Sequence, residues 1–428
     1  MIYLIKFYSH VLRMAGRVRL AVTGIQDRWL TGEPQFSYFV MNYKKHTRFA
    51  TEAVEIPFGG EKKLGGHAEV RIPGNIGDLI RSMMLKITLD PLTESQDPLI
   101  SNLYNTSLAA NIIEYADLRM GGQTIERITS DYINMYDQLH NNTDDLEQTL
   151  YFLRGHNNHL NVSNSYNTFY VNLPFYFFRH SSLAIPICAM TKQLVEVYIK
   201  FKNVEDDISF KYTKSGNNVT REINTDGGIK DISLITDFFF VTEDERNFLK
   251  TRPMEYTITQ LQKSTIKFKP NETKKSALLK FVNPVKELFF LAKEETGLND
   301  HLLNTSSPDQ SFSSRYEGKR SDHRLIKNIK FECNGEEVFD KSGLYAAYHE
   351  SLQYHTGCPN PAYEFYMHSF ALKPEEYFPS GQLNMSRIIH KKLEVELGEV
   401  SSRDINVDVY ALNYNILHVQ SGLAGLKF

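Results

Sequence analysis

The chain has 428 residues, with 48 Lys+Arg against 51 Asp+Glu and a formal net charge of -3. That length suggests two or three domains, and so small a charge excludes a strong field of the kind that gathers polyanions. With 23% charged and 41% hydrophobic residues, 24 Gly, 15 Pro and three cysteines (Cys188, Cys333, Cys358), a disordered chain, a collagen-like chain and a disulfide scaffold are all excluded.

The opening MIYLIKFYSHVLR is apolar but broken by Lys6, His10 and Arg13, so it is too short to span a bilayer. It is expected to belong to an arm over residues 1–22, with Met14 as an alternative natural start. The glycine-rich segment 59–66 fails as a phosphate loop, because Gly66 and His67 stand where Lys and Ser/Thr are needed. A solvated hairpin loop is expected there. Leu85, Ile87 and Leu89 then alternate with polar residues, the period of a half-buried strand. Ile128, Tyr132, Met135, Tyr136 and Leu139 follow helical spacing, with Thr129 or Ser130 placed to cap. A loop over 141–167 holds His156 and His159, whose spacing and lack of a nearby carboxylate fit exposed histidines better than metal ligands.

Val195, Val197, Ile199 and Phe201 alternate again. The turn-rich stretch 206–228 predicts a joint, and 294–320 another long loop. A second short helix is expected on Leu344, Ala347, Tyr348, Ser351 and Leu352. Strands follow on Leu393, Val395 and Leu397, then on Ile405, Val407, Val409 and Ala411, with Asn406, Asp408 and Tyr410 on the opposite face. Abundant Phe (27) and Tyr (24) also favour β-structure.

Strands with one apolar face belong to antiparallel sandwiches. Two landmarks recur half the chain apart: the turns at Gly122 and Gly335, and the pairs Val195/Val197 and Val407/Val409. The expectation is an all-β protein made of two tandem eight-stranded jelly rolls with short inserted helices. The first would span 23–212 and the second 229–428, with a linker at 213–228.

No catalytic constellation emerges. Cys333 and Cys358 lack zinc-site spacing and are expected as buried thiols; Glu375 and Glu376 read as ordinary loop carboxylates. No cofactor and no metal site are expected. Candidate glycosylation acceptors are Asn105, Asn141, Asn161, Asn218, Asn271 and Asn304, with Asn384 a further triplet. Asn-rich loops produce such triplets by chance. The segment 379–387 is expected to form a structural clamp, with Asn384, Ser386 and Arg387 bonding nearby backbone.

Several segments resemble one family in order along the chain. They are TGIQDRWLTGEPQF at 23–36, YKKHTRFA at 43–50, NLPFYFFR at 172–179, EYTITQLQ at 255–262 and NPVKELFF at 283–290. SFALKPEE at 369–376, PSGQLNMSR at 379–387, YALNYNIL at 410–417 and SGLAG at 421–425 complete the series. Together they resemble the major capsid proteins of nucleocytoplasmic large DNA viruses.

The resemblance implies a double jelly roll with a structural, non-enzymatic role. Three copies would form a trimeric capsomer of pseudo-hexagonal outline, tiling an icosahedral shell. The implied partners are sister copies in a homotrimer, neighbouring capsomers, minor capsid or cement proteins and, as a further candidate, an inner membrane beneath the shell. No direct sequence-specific nucleic-acid binding is implied. The implied location is the virion capsid, assembled in the host cytoplasm. A minor paralogous capsid protein and a jelly-roll glycan- or receptor-binding virion protein are the alternatives.

Overall fold

The computed structural model describes residues 18, 20–40, 44–90, 100–104, 108–141, 168–203, 209–215, 218–223, 228–294, 326–359, 365–398 and 404–428. The chain divides into two compact units, residues 1–47 and 48–428. In the first, α1 (Ile25–Thr31) is started by Asp27, whose carboxylate accepts the Gly24 N–H at 2.6 Å. None of its residues is buried, and Trp29 is 85% exposed.

The second unit begins with β1 (Phe49–Pro57), β2 (Gly59–Gly60), β3 (His67–Ile72), β4 (Leu79–Leu89), β5 (Ile100–Tyr104), a short α2 (Leu108–Asn111), β6 (Ile113–Met120) and β7 (Gln123–Thr129). It continues through α3 (Ser130–His140), β8 (Thr168–Asn172), β9 (Val195–Phe201), β10 (Ser209–Ser215), β11 (Asn218–Ile223) and β12 (Ile229–Val241). One sheet has the order β1-β12-β4-β8; a second has β2-β3-β9-β6-β7; β11-β10-β5 forms a small separate sheet. Gly59 and Gly60 pair with Glu69 and Ala68, so the glycine-rich segment is indeed a hairpin.

After α4 (Glu243–Thr251) come β13 (Met254–Phe268), β14 (Lys274–Leu278), β15 (Pro284–Glu294), β16 (Ile326–Cys333) and β17 (Glu336–Ser342). A π-helical turn (Tyr345–His349) leads into α5 (Glu350–Tyr354), followed by β18 (Tyr366–Ser369), β19 (Leu383–Asn384), β20 (Lys391–Leu397), β21 (Ile405–Gln420) and β22 (Leu423–Leu426). Their sheets are β13-β21-β15-β18 and β14-β20-β16-β17.

The two halves share one topology. In each, the first, last, third and sixth strands of the sandwich make one sheet, and the second, seventh, fourth and fifth make the other. This is the jelly-roll order, twice. The turns at Gly122 and Gly335 are equivalent, both at positive φ (82° and 92°). The second landmark is not: β9, which carries Val195 and Val197, occupies the place of β20, whereas Val407 and Val409 lie on β21, the counterpart of β12. Strands with the same Val-x-Val alternation look alike in sequence, and the β10–β11 insertion hides the slip. Residues 213–228 overlap that insertion. Ile229–Val241 pairs with β1 and β4, so by pairing the first sandwich closes at Val241.

Alternation puts Leu85, Ile87 and Leu89 in the first core and Leu393, Val395 and Leu397 in the second, as their spacing predicts. The sheet containing β15 and β21 serves both cores. Phe289, Leu291, Tyr410 and Leu412 join the first; Leu288, Phe290, Val409 and Ala411 join the second. Tyr410, on the face opposite the apolar one, is therefore still 0% exposed. Each buried Leu, Val or Phe among them contributes about 1.5–3 kcal/mol, and a sheet buried on both faces welds the sandwiches into one body.

The predicted first helix is α3, with Thr129 Oγ1 accepting the Tyr132 N–H. The second differs. The π turn rotates its register, so Ala346, Ala347, Glu350 and Ser351 are buried while Leu344 and Leu352 are exposed.

In the 379–387 segment, Ser386 Oγ accepts the Asn283 N–H at 2.8 Å and Asn384 Oδ1 accepts the Ser386 N–H at 3.1 Å. Met385 is fully buried, and Arg387 is exposed. The clamp exists, but Arg387 is not part of it. Ser386→Ala should cost about 1 kcal/mol and Arg387→Ala nothing measurable, as read by urea unfolding.

Candidate functional site: the junction between the sandwiches

The junction is built mainly from α3, β15 and the loops after α5 and β18. Segment 173–190 lies against it, through Phe175, Tyr176 and Phe177, all within the first core. The α3 sequence places Asp131 and His140 at opposite ends. Asp131 accepts from Lys293 Nζ on β15 at 2.5 Å and from the Tyr410 hydroxyl on β21 at 2.7 Å. Burial opposes its charge, but Lys293 and Lys202, with the bonds from Lys293 and Tyr410, hold its carboxyl well below the usual range. Gln260 on β13 donates to the Ile125 carbonyl at 2.5 Å, and the Ala424 N–H donates to Gln193 Oε1 at 2.7 Å, so the two sandwiches are joined at several points.

At the other end of α3, the Gly357 N–H donates to the Leu139 carbonyl at 2.7 Å, closing the helix C-terminus with backbone from the second sandwich. A Cβ at Gly357 would lie 2.0 Å from the Gln138 carbonyl oxygen, so only glycine lets the chains approach this closely. Beside it lies a buried ion network. Glu287 accepts from His355 Nε2 at 2.6 Å and pairs with Lys286 at 3.3 Å, and Lys286 also donates to the Pro374 carbonyl at 2.6 Å.

Burial works against the charge of Glu287, yet Lys286 and His355 pull its pKa down to about 2. Burial likewise disfavours the charged His355, yet Glu287 raises it to about 9. Lys286 falls to about 8 because burial outweighs Glu287. Glu126, buried on β7, is pushed up to about 8 by burial although it accepts the Tyr176 N–H.

His140, His355 and Glu375 meet at the edge of this network, one ligand-type atom from each lying within 4.8 Å of the others. A narrow cavity of about 10 Å³ adjoins them, lined among others by Tyr136, Arg179, Lys286 and Leu412. The guanidinium nitrogens of Arg179 are buried there and make no hydrogen bond to a described group. A wider groove of about 700 Å³ has Asp78, Cys188, Phe240, Arg246 and Lys250 in its wall, where Arg246 is closed onto Asp78 at 2.7 and 3.0 Å.

None of the charged junction residues was singled out from sequence except Glu375, and that one as an ordinary loop carboxylate; Tyr136, Leu139 and Tyr410 were placed by helix and strand spacing alone. His140, Glu287 and His355 are far apart in the chain and follow no motif, so no sequence signal marks them. Asn105, Asn161, Asn304, His156 and His159 lie outside the described residues. Asn271 is exposed in a turn; Asn141 closes α3, its Nδ2 donating to the Asp137 carbonyl at 2.9 Å; Asn218 begins β11. Cys188 is buried as a thiol, but Cys333 and Cys358, expected as buried, are only partly covered.

Two jelly rolls of identical strand order, sharing a central sheet and locked by buried ion pairs, define a double jelly-roll structural protein. The family models agree end to end: residues 37–242 match the major capsid protein N-terminus, and residues 245–425 match the large eukaryotic DNA virus major capsid protein. The chain belongs to the major capsid proteins of large eukaryotic DNA viruses, a non-enzymatic component of the virion capsid.

The major capsid protein of Pyramimonas orientalis virus is 26% identical, over 96% of this chain and 99% of that protein. That of Paramecium bursaria Chlorella virus 1 is 25% identical, over 97% and 100%. Among solved structures, a quasi-atomic model of the PBCV-1 virus capsid matches with a TM-score of 0.73 at 22% identity, covering 92% of this chain and 100% of that one. The Faustovirus major capsid protein matches at 0.66 with 11% identity, over 93% and 95%. These likenesses speak to the fold.

Proposed function

We propose that the chain is the repeating brick of an icosahedral shell, assembling as trimeric capsomers of pseudo-hexagonal outline. The observation that carries this reading is the identical strand order of the two sandwiches: three copies supply six nearly equivalent bodies around a threefold axis. The shared sheet supports it, because a shell needs bricks whose two halves do not hinge. Large apolar side chains exposed in the first unit, among them Trp29, Leu30, Phe36 and Phe39, supply area for contacts with sister copies or with minor capsid and cement proteins. Assembly in the host cytoplasm, a membrane beneath the shell and the absence of sequence-specific nucleic-acid contacts complete the reading. Size-exclusion chromatography with light scattering tests it: the expected mass is three times 49.4 kDa, and a persistent monomer at high concentration would refute it.

A further inference from the structure

We propose that His140, His355 and Glu375 form a divalent-metal site of zinc type that pins the first sandwich to the second. One ligand atom from each residue lies within 4.8 Å of the others, so a central ion needs only a modest contraction. The edge between His355 Nδ1 and Glu375 Oε1 is already 3.4 Å. That is close to the separation of two ligands around an ion with bonds of about 2.0–2.1 Å in tetrahedral geometry.

The hydrogen bonds orient the rings for this task. His140 Nδ1 lies 2.8 Å from the Tyr136 carbonyl, which can only accept, so Nδ1 carries the hydrogen and Nε2 presents a lone pair. His140 is also stacked on Tyr136, with ring centroids 3.9 Å apart. His355 Nε2 faces Glu287 Oε1 at 2.6 Å, the carboxylate–histidine pairing that fixes metal-ligand imidazoles. Its other nitrogen, Nδ1, is buried and faces Glu375 Oε1 at 3.4 Å, so a bound ion would take the place of the proton His355 carries there. Glu375 is held in turn by the Thr356 N–H at 2.7 Å and the Thr356 hydroxyl at 3.0 Å.

Two imidazoles and one carboxylate favour zinc, cobalt or nickel over calcium or magnesium, which prefer all-oxygen shells. The surrounding charges balance, two carboxylates against Lys286 and Arg179, so the ligand set rather than the local field selects the ion. Glu287 and Glu375 supply negative charge, Lys286 is spent on Glu287 and the Pro374 carbonyl, and Arg179 lines the adjoining cavity. Because His140 comes from the first sandwich and the other two ligands from the second, a bound ion would act as a cross-link within one chain.

The test uses the full-length protein, stripped with chelator and titrated with Zn²⁺ by calorimetry and with Co²⁺ by visible absorption. One ion per chain is expected, with tetrahedral Co²⁺ bands and a Zn²⁺-dependent rise in melting temperature. His140→Ala and Glu375→Gln should each weaken binding by roughly 100-fold or more, beyond what supporting residues contribute, and abolish the Co²⁺ bands. The exposed His390→Ala should leave both intact. Circular dichroism of each variant without metal separates lost binding from lost folding; should His140→Ala unfold, Glu375→Gln keeps the shape of the site and decides. No saturable uptake by the wild type, or equal uptake in Glu375→Gln, would overturn the site and leave a shared proton as what holds the three groups together.

Discussion

Glu287→Ala should destabilise the 48–428 unit by about 3–5 kcal/mol, the cost of leaving buried partners uncompensated. Lys286 and His355 would both lose the carboxylate that faces them, at 3.3 and 2.6 Å, in a region where both side chains are almost fully covered. Replacing Lys286 and Glu287 together by Met and Leu should cost less than Glu287→Ala alone, because no unmatched lysine charge remains. Urea unfolding of the three proteins measures this.

The same carboxylate sets an acid limit. Its pKa is depressed to about 2 in the fold, so its stabilisation is complete above the ordinary carboxylate range near 4.5 and drains away as pH falls toward 2. Asp131, held low by Lys293 and Lys202 against burial, acts in the same direction. Glu126, raised to about 8 by burial, acts in the opposite one, its penalty growing as pH rises from the ordinary range through 8. Melting temperature should therefore fall below pH 4.5, and fall less steeply in the Glu287→Gln variant.

Gly357→Ala is the second large effect. The added methyl would meet the Gln138 carbonyl oxygen at 2.0 Å and the Asn141 carbonyl oxygen at 2.8 Å, both backbone atoms that cannot swing aside. The loop must back away from α3 and give up the Gly357–Leu139 hydrogen bond, so about 3 kcal/mol is expected. Gly74→Ala, where a Cβ would meet nothing within 4 Å, is the control and should be neutral in the same thermal melt.

The strands were legible because a one-sided sheet writes its burial into alternate residues. Leu85, Ile87 and Leu89 could be placed from spacing alone, and so could α3, whose cap at Thr129 and apolar stripe agree. The burial of Tyr410 and Asp408 was not legible, because alternation says only that two faces differ. It does not say that the polar face is covered by a second sandwich, as it is on β21. The Val407 landmark slid by one strand for a related reason: alternating valines carry no information on strand order, which only pairing defines. The junction was invisible. Its charged groups are brought together by packing across the whole second unit, and a buried Glu or His has the same local sequence as an exposed one.

In the proposed capsomer, each chain supplies two similar, rigidly joined bodies and three chains complete a hexagonal brick. Electron microscopy of the purified protein tests this most directly. Class averages viewed down the threefold axis should show six lobes of similar size in a closed ring. Averages showing separate two-lobed particles, or lobes whose spacing varies from particle to particle, would contradict it.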